Sequence, residues 1–186
     1  MSGLKHIGFA LLAIILLLGT WMGIEQFAGN FHEVIPGEFY RSGQLKPKDI
    51  AYFHRLYNIR SIINLRDDIS SAELGDEKNF ARKVGIVFYH FPFSSKKILP
   101  VNEIEKLMDI MKQAPKPLLI HCNHGANRTG LAAAVYMAKI AGQSNLLSEW
   151  QLSPYYGHIS LPIFGRCMMN KSWDLYAKHT VFGGDS

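Results

Sequence analysis

The hydrophobic pattern splits the chain into one unbroken apolar opening and a long series of short, punctuated runs. Residues 7–24 read IGFALLAIILLLGTWMGI, without a single charge. These eighteen residues would span about 27 Å as a helix, close to the hydrocarbon thickness of a bilayer. Lys5 and His6 precede the run, Glu25 closes it, and Trp21 lies near its far end, where an interfacial aromatic is common. The pattern predicts one N-terminal transmembrane helix, with the lipid bilayer as a partner through residues 7–24. The chain then divides into an anchor at residues 1–26 and a single domain at residues 27–186. A cleaved signal segment is the alternative, although the run is long for one and no A-x-A site follows. The far flank carries Glu25, Glu33 and Glu38 against Arg41. That asymmetry predicts an outward-facing domain, periplasmic in a bacterium.

Beyond residue 27 the apolar positions alternate between strand and helix periods. Residues 27–33 read as a linker and Pro36-Gly37 as a turn. A short strand is expected at 39–42, then a helix over 45–57 with Pro47 in its first turn and Ile50, Phe53, Leu56 and Tyr57 at helical spacing. Further strands are expected at 61–65, 86–91 and 118–120. Helices are expected at 73–84, 101–111 and 129–141, and one capped by Asn145 runs to about residue 152. Residues 92–100 read as a loop, and Trp173 with Tyr176 mark a last helix packed on the domain. Short strands alternating with helices predict an α/β fold: a central, mostly parallel sheet flanked by helices.

The densest chemistry lies after the 118–120 strand, in His121-Cys122-Asn123-His124-Gly125-Ala126-Asn127-Arg128-Thr129-Gly130. A loop that feeds a helix N-terminus points several backbone N–H groups at one place and forms an anion nest. Gly125 allows the tight turn. Arg128 supplies a planar, permanently charged fork that matches two phosphate oxygens. Cys122 then lies beneath the bound anion, where the same positive field favours thiolate over thiol. A thiolate can attack phosphorus without a separate base, giving a cysteinyl phosphate that water hydrolyses. Thr129 is placed to donate its hydroxyl to the sulfur, and His121 to hold the loop through either ring nitrogen. A zinc site from His121, Cys122 and His124 is conceivable by residue type, but these donors are crowded into one turn beside a cation. No metal or cofactor is expected.

This motif resembles the signature of the cysteine-dependent protein tyrosine and dual-specificity phosphatase superfamily. With Asn30-Phe31-His32, Phe39-Tyr40-Arg41-Ser42-Gly43-Gln44 and Ile62-Ile63-Asn64-Leu65-Arg66, the chain is similar to the compact atypical dual-specificity phosphatases over residues 30–152. The resemblance implies a dual-specificity-phosphatase-like fold, Cys122 as nucleophile and Arg128 as phosphate clamp. It further implies that His121, Asn123, His124, Gly125, Ala126, Asn127, Thr129 and Gly130 form the substrate-binding loop. Related members act on phosphotyrosine, phosphoserine or phosphothreonine in proteins, on inositol phosphates or on phospholipids. The expected activity is therefore a phosphatase acting on phosphotyrosine, phosphoserine or phosphothreonine in proteins, with an inositol-phosphate or phospholipid phosphatase of the same mechanism as the alternative; the expected partner is a phosphorylated protein or small phosphate ester. A non-catalytic phosphate-binding module is the rival reading.

In that family the general acid is usually an Asp in the loop after the strand preceding the catalytic one. Here that loop is Pro92-Phe93-Ser94-Ser95-Lys96-Lys97, which has no carboxylate. Three readings stay open, one of them a slow enzyme or phosphate-binding pseudoenzyme without an acid, and His124 is a further candidate donor. Asp67 or Asp68, just past the C-terminal end of the 61–65 strand where α/β sheets gather ligands, donates the proton. Alternatively the leaving group is itself a phosphate, and Lys96 and Lys97 hold further substrate phosphates.

Composition changes this picture little. The 186 residues suit one domain, and a net charge of +5, without basic runs or zinc-finger spacing, gives no reason to expect nucleic acid. Cys122 and Cys167 are the chain's two cysteines, which excludes a disulfide-rich scaffold. A bond between them would be an oxidative off-switch.

Overall fold

The computed structural model describes residues 6–9, 13, 16–17, 19–20, 23, 29–160 and 168–182. Its centre is a five-stranded sheet in the order β1-β2-β5-β3-β4, formed by β1 (His32–Ile35), β2 (Phe39–Ser42), β3 (Ser61–Asn64), β4 (Val87–His90) and β5 (Leu118–His121). All neighbours pair in parallel except the edge strand β1, which runs antiparallel to β2. The helices are α1 (Pro47–Tyr57), α2 (Ser71–Lys83), α3 (Val101–Gln113), α4 (Asn127–Lys139), α5 (Asn145–Glu149) and α6 (Met168–Phe182), with short 3-10 turns at Trp150–Leu152 and Pro154–Tyr156.

Successive residues of a strand point to opposite faces, and each face has its own core. Phe39, Ile63, Leu118 and Ile120 pack with Leu107 of α3, the alanines of α4 and Trp173 and Tyr176 of α6. Tyr40, Ile62 and Leu119 pack with Ile50 of α1 and Ala81 of α2. The result is three layers, with β5 buried along its whole length as a central parallel strand requires. The small residues of α4 let that helix lie close to the sheet. On its other side α4 is crowded by the 3-10 turn at Trp150–Leu152, where a Cβ on Gly130 would come within 2.8 Å of the Gln151 carbonyl oxygen.

Most expected elements appear within a few residues of their predicted bounds. Pro47 opens α1 and Asn58 closes it in the left-handed region, at φ 53°. The start of α2 moves to Ser71, because Ser70 caps it: its side chain accepts from the Glu73 N–H while the Glu73 carboxylate accepts from the Ser70 N–H. The helix expected over 145–152 is capped by Ser144 and tightens into a 3-10 turn after Glu149. The end of the segment read as a linker, from His32, opens β1, whose half-buried pattern lacks the continuous apolar run of the inner strands.

The expected transmembrane helix is corrected. Among the described residues no helix is long and apolar enough to cross a membrane. A span needs about 20 apolar residues, whereas α6, at 15 residues, is interrupted by Asn170, Lys171, Asp174, Lys178 and His179. The bilayer partner through residues 7–24, the membrane localisation and the outward-facing domain all depended on that helix and fall with it. Much of 7–24, the boundary at 26/27 and the signal-segment alternative lie outside the described residues.

Candidate active site

Parallel pairing of β2, β5, β3 and β4 brings the loops at their C-terminal ends to one edge of the sheet. Four segments meet there: the turn after β2, Asp67 and Asp68 after β3, the 91–100 loop after β4, and the loop from Cys122 into α4. Cys122, a buried free thiol, forms the floor of a cavity of about 50 Å³ that is also lined by Ser95, His124, Ala126, Asn127 and Arg128. No side chain caps α4 at Ala126, so the end of the helix that carries the positive dipole opens beside this cavity.

The loop is held from several directions. Gly125 has φ +73° and lies so close to β2 that a Cβ would come within 2.6 Å of the Gly43 nitrogen. Its carbonyl accepts a 2.7 Å hydrogen bond from Nη2 of Arg41. Arg41 is wholly buried. Its Nη1 donates to the backbone and side-chain oxygens of Gln151 at 2.9 and 2.8 Å, and its guanidinium stacks 3.8 Å from the Tyr156 ring centre. Burial pushes its pKa down to about 10, against the opposing pull of Tyr156 and Cys122. The carbonyl of Asn123 accepts from the Gln44 N–H at 2.9 Å, and that of His124 accepts from Asn30 Nδ2 at 2.9 Å. Asn127 Oδ1 lies 2.7 Å from Nδ1 of the buried His158, whose Nε2 lies 2.7 Å from Asn170 Oδ1 on α6. Burial lowers the His158 pKa first, Arg41 adds to this, and the bond to Asn170 partly opposes it.

His121 turns away from the cavity into the layer between the sheet and α2. There its Nε2 lies 2.8 Å from Glu77 Oε1, with both side chains nearly inaccessible. The angles are poor for a hydrogen bond, and both atoms are otherwise without a partner. Asn64 Nδ2 donates to the other Glu77 oxygen at 2.8 Å. Burial pushes the Glu77 carboxyl upward. The neighbouring His121 and hydrogen bonds from Gln44 and Asn64 outweigh that and hold it below the usual carboxylate range.

Arg128 is buried, and its Nη1 contacts Asp67 Oδ1, Asp68 Oδ1 at 3.0 Å and the Phe93 carbonyl at 3.5 Å. Its Nε has no hydrogen-bond partner. For Asp68 burial is the largest single influence and acts upward. The hydrogen bond and charge of Arg128, its own backbone and Arg66 together hold the pKa low. Arg66 reaches Asp68 Oδ1 at 3.5 Å and Gln44 Oε1 at 3.0 Å.

The fold thus gathers Cys122, His124, Ala126, Asn127 and Arg128 around one cavity, with Asp67 and Asp68 on its cation. Lys96 and Lys97 are exposed on the 91–100 loop, whose Ser95 reaches the cavity wall. His121 faces Glu77 with Nε2 and the Cys122 carbonyl oxygen, at 3.4 Å, with Nδ1. Thr129 differs from its expected role: its hydroxyl donates to the Ser42 carbonyl at 3.4 Å instead of the sulfur. The sequence reading assigned no part to Arg41, Glu77 or His158. Arg41 and Glu77 sit in segments whose local pattern is ordinary strand and helix, and only tertiary pairing reveals them.

The tyrosine phosphatase family matches residues 27–144, and the chain belongs to that family. That family is part of the cysteine-dependent protein tyrosine and dual-specificity phosphatase superfamily. A relative in Saccharomyces cerevisiae, inositol diphosphatase SIW14, is 32% identical over 129 residues, which are 67% of this chain and 42% of that protein. The match therefore spans less than half the length of that relative. The core catalytic domain of the PP-IP phosphatase SIW14 from S. cerevisiae, solved in complex with citrate, aligns over 82% of this chain and 88% of its own with 22% identity and a TM-score of 0.62. P. aeruginosa TpbA in complex with pTyr aligns over 70% of this chain and 76% of its own with 20% identity and a TM-score of 0.55. These two likenesses establish the fold alone.

Proposed function

We propose that this phosphatase acts on a small, multiply phosphorylated substrate, an inositol phosphate or inositol diphosphate, with Cys122 as nucleophile and Arg128 as phosphate clamp. The observation that carries the substrate class is the cavity wall after β4. Where a carboxylic acid would serve a poor leaving group, the chain presents Ser95 at the cavity and the exposed Lys96 and Lys97 beside it. A departing phosphate needs little protonation, and two ammonium groups at the rim suit further phosphates on the same molecule. The likeness to the yeast inositol diphosphatase supports the same class.

The thiolate of Cys122 attacks phosphorus. The bond to the leaving oxygen breaks, and its electron pair departs with that oxygen. Arg128 and the loop N–H groups hold the equatorial oxygens, where charge accumulates. Water then attacks the cysteinyl phosphate, releasing inorganic phosphate and restoring the thiolate. Asp67 and Asp68 occupy Nη1 of Arg128, so the incoming phosphate takes their place. Once a dianion neutralises Arg128, the pull that holds Asp68 low is weakened, and a displaced carboxyl at the rim is able to donate a proton when the leaving group is an alkoxide.

A substrate panel tests this: inositol phosphates and diphosphates, phosphopeptides and phospholipid vesicles, each with wild type and Cys122→Ser. The inositol compounds should give the highest kcat/KM, and the Ser variant should lose about 10⁶-fold in turnover, on the scale of removing a nucleophile. Faster turnover of a phosphotyrosine peptide would overturn the substrate class. Turnover surviving in Cys122→Ser would overturn the mechanism.

A further inference from the structure

His158 lies outside residues 27–144, the stretch that the tyrosine phosphatase family matches, yet it reaches the catalytic loop. The 3-10 turn at Pro154–Tyr156 and Gly157, at φ 78°, deliver it inward, and its N–H donates to the Ser153 carbonyl at 3.1 Å. The side chain is buried between two carboxamides: Nδ1 lies 2.7 Å from Oδ1 of Asn127, and Nε2 lies 2.7 Å from Oδ1 of Asn170 on α6. Asn170 is buried too, whereas Asn127 opens α4 and lines the cavity over Cys122 beside Arg128. Among the described residues no hydrogen bond occupies Nδ2 of Asn127. Burial lowers the pKa of the His158 ring from its ordinary value, so at neutral pH the ring is uncharged and carries a single N–H. One amide then turns its NH2 group to the ring, a half-turn that exchanges oxygen and nitrogen in place. If that amide were Asn127, its oxygen would be the atom left to meet an anion in the cavity. If it is Asn170, Asn127 keeps its oxygen on Nδ1 and leaves its NH2 group for the anion.

We propose that His158 is a positioning residue for the phosphate nest: its Nδ1–H holds the Asn127 amide by the oxygen, so that Asn127 meets a bound phosphate with its NH2 group, and Asn170 anchors the ring to α6. The proposal rests on the loop being a phosphate site with Cys122 as nucleophile. The amide N–H joins Arg128 and the loop N–H groups where charge accumulates on the phosphoryl oxygens. An unrestrained asparagine offers either end of its amide, and the buried ring removes that choice before substrate arrives. Trp173 and Tyr176 of α6 share a core with the alanines of α4, so the chain Asn170–His158–Asn127 shapes the nest from the last helix of the fold. Asn127 thereby differs from its neighbour Arg128, whose acidic partners are exposed: the amide is fixed, while the guanidinium exchanges partners.

The experiment uses the full chain. Turnover of an aryl phosphate and inhibition by vanadate are measured for wild type, His158→Gln, His158→Asn, Asn127→Ala, Asn170→Ala and the double variant of His158→Gln with Asn127→Ala. Asparagine places an N–H donor near the position of Nδ1, whereas glutamine places one near that of Nε2. His158→Gln and Asn127→Ala should each lower kcat/KM about tenfold, the scale of one hydrogen bond, and weaken vanadate by the same factor. His158→Asn should recover most of both. The double variant should be no worse than Asn127→Ala alone, because the two residues act as a unit. Asn170→Ala, which leaves the ring its bond to Asn127, should lose roughly threefold. Wild-type values in His158→Gln, equal losses in its glutamine and asparagine variants, or additive losses in the double variant would overturn the proposal. Nitrogen NMR of wild type reads the ring directly and decides even where a variant does not fold: a proton on Nδ1 is expected at neutral pH, and a ring protonated on Nε2 alone would overturn it. Cys122→Ser separates the two levels. If it retains turnover, the nucleophile assignment fails; if it is inactive while His158→Gln behaves as wild type, only the role of His158 fails.

Discussion

The two ends of the catalytic loop are held by opposite means. At the cysteine end every restraint is buried: Glu77 on His121, Arg41 on the Gly125 carbonyl, and the close packing of Gly125 on β2. At the arginine end the guanidinium is buried but its partners are not, since Asp67 and Asp68 are 38% and 50% exposed. Ion pairs with exposed partners contribute little and exchange readily, whereas a polar group stranded in a dry layer is costly to disturb. The shape of the nest is thus fixed by the fold, and its charge is parked on groups that give way to a phosphate. A thiolate nucleophile needs the first property, because its approach to phosphorus tolerates little misplacement. Substrate entry needs the second.

The arginine end offers the largest test of this division. If one displaced carboxyl is the proton donor, either Asp67→Ala or Asp68→Ala should lower kcat on an alkyl phosphate by about 10²–10⁴-fold. The same variant should lose the fall in rate on the alkaline side, where the donor would give up its proton. On an inositol diphosphate the loss should be under about tenfold, since a phosphate leaves without help. Full rates for both variants on the alkyl substrate would reduce the two aspartates to keepers of the empty site.

The cysteine end should show itself in stability. Glu77→Ala leaves His121 and Asn64 facing each other without their carboxylate, and breaking a buried pair in this way costs about 3–5 kcal/mol. Because the folded state holds the Glu77 pKa below its ordinary value of 4.5, the contribution is complete above about pH 4.5 and disappears as pH falls through the lowered value. Urea unfolding of wild type and variant should therefore differ most near neutrality and converge in acid. A difference that persists unchanged into acid would assign the loss to packing instead of charge.

Much of this was legible in the sequence, and the boundary of legibility follows the same division. Period and punctuation located the inner strands and the helices, because β3 and β5 are buried on both faces and α1 and α3 carry clear apolar stripes. The run from His121 to Gly130 gave away the loop, since a nucleophile, a turn glycine and a cation must be close in chain to share one nest. What escaped were the partners that act across the fold. Glu77 reads as an ordinary polar position on a helix until α2 is laid against β5. Arg41 reads as a polar position in a short strand until the turn at Trp150–Leu152 wraps over it. The edge strand β1 escaped for a different reason, because its half-exposed residues carry no continuous apolar run. The apolar opening shows the converse hazard: composition alone suggested a spanning helix that no described part of the structure provides.

The smallest expected effect probes how far the adjustable end extends. Lys96 and Lys97 are exposed and follow Ser95 of the cavity wall in the chain, so each offers a screened, solvated charge. Replacing either with Ala should raise KM for an inositol diphosphate roughly twofold, in keeping with the small worth of exposed charge contacts. The double variant should raise it by about the product of the two. A monophosphate with no second anionic group should show no change, and added salt should erase the difference for the larger substrate. If the monophosphate weakens equally, the lysines act on the reacting phosphate itself. The rim would then belong with the buried cysteine end, as part of the fixed machinery, and the separation between shape and charge would break at this loop.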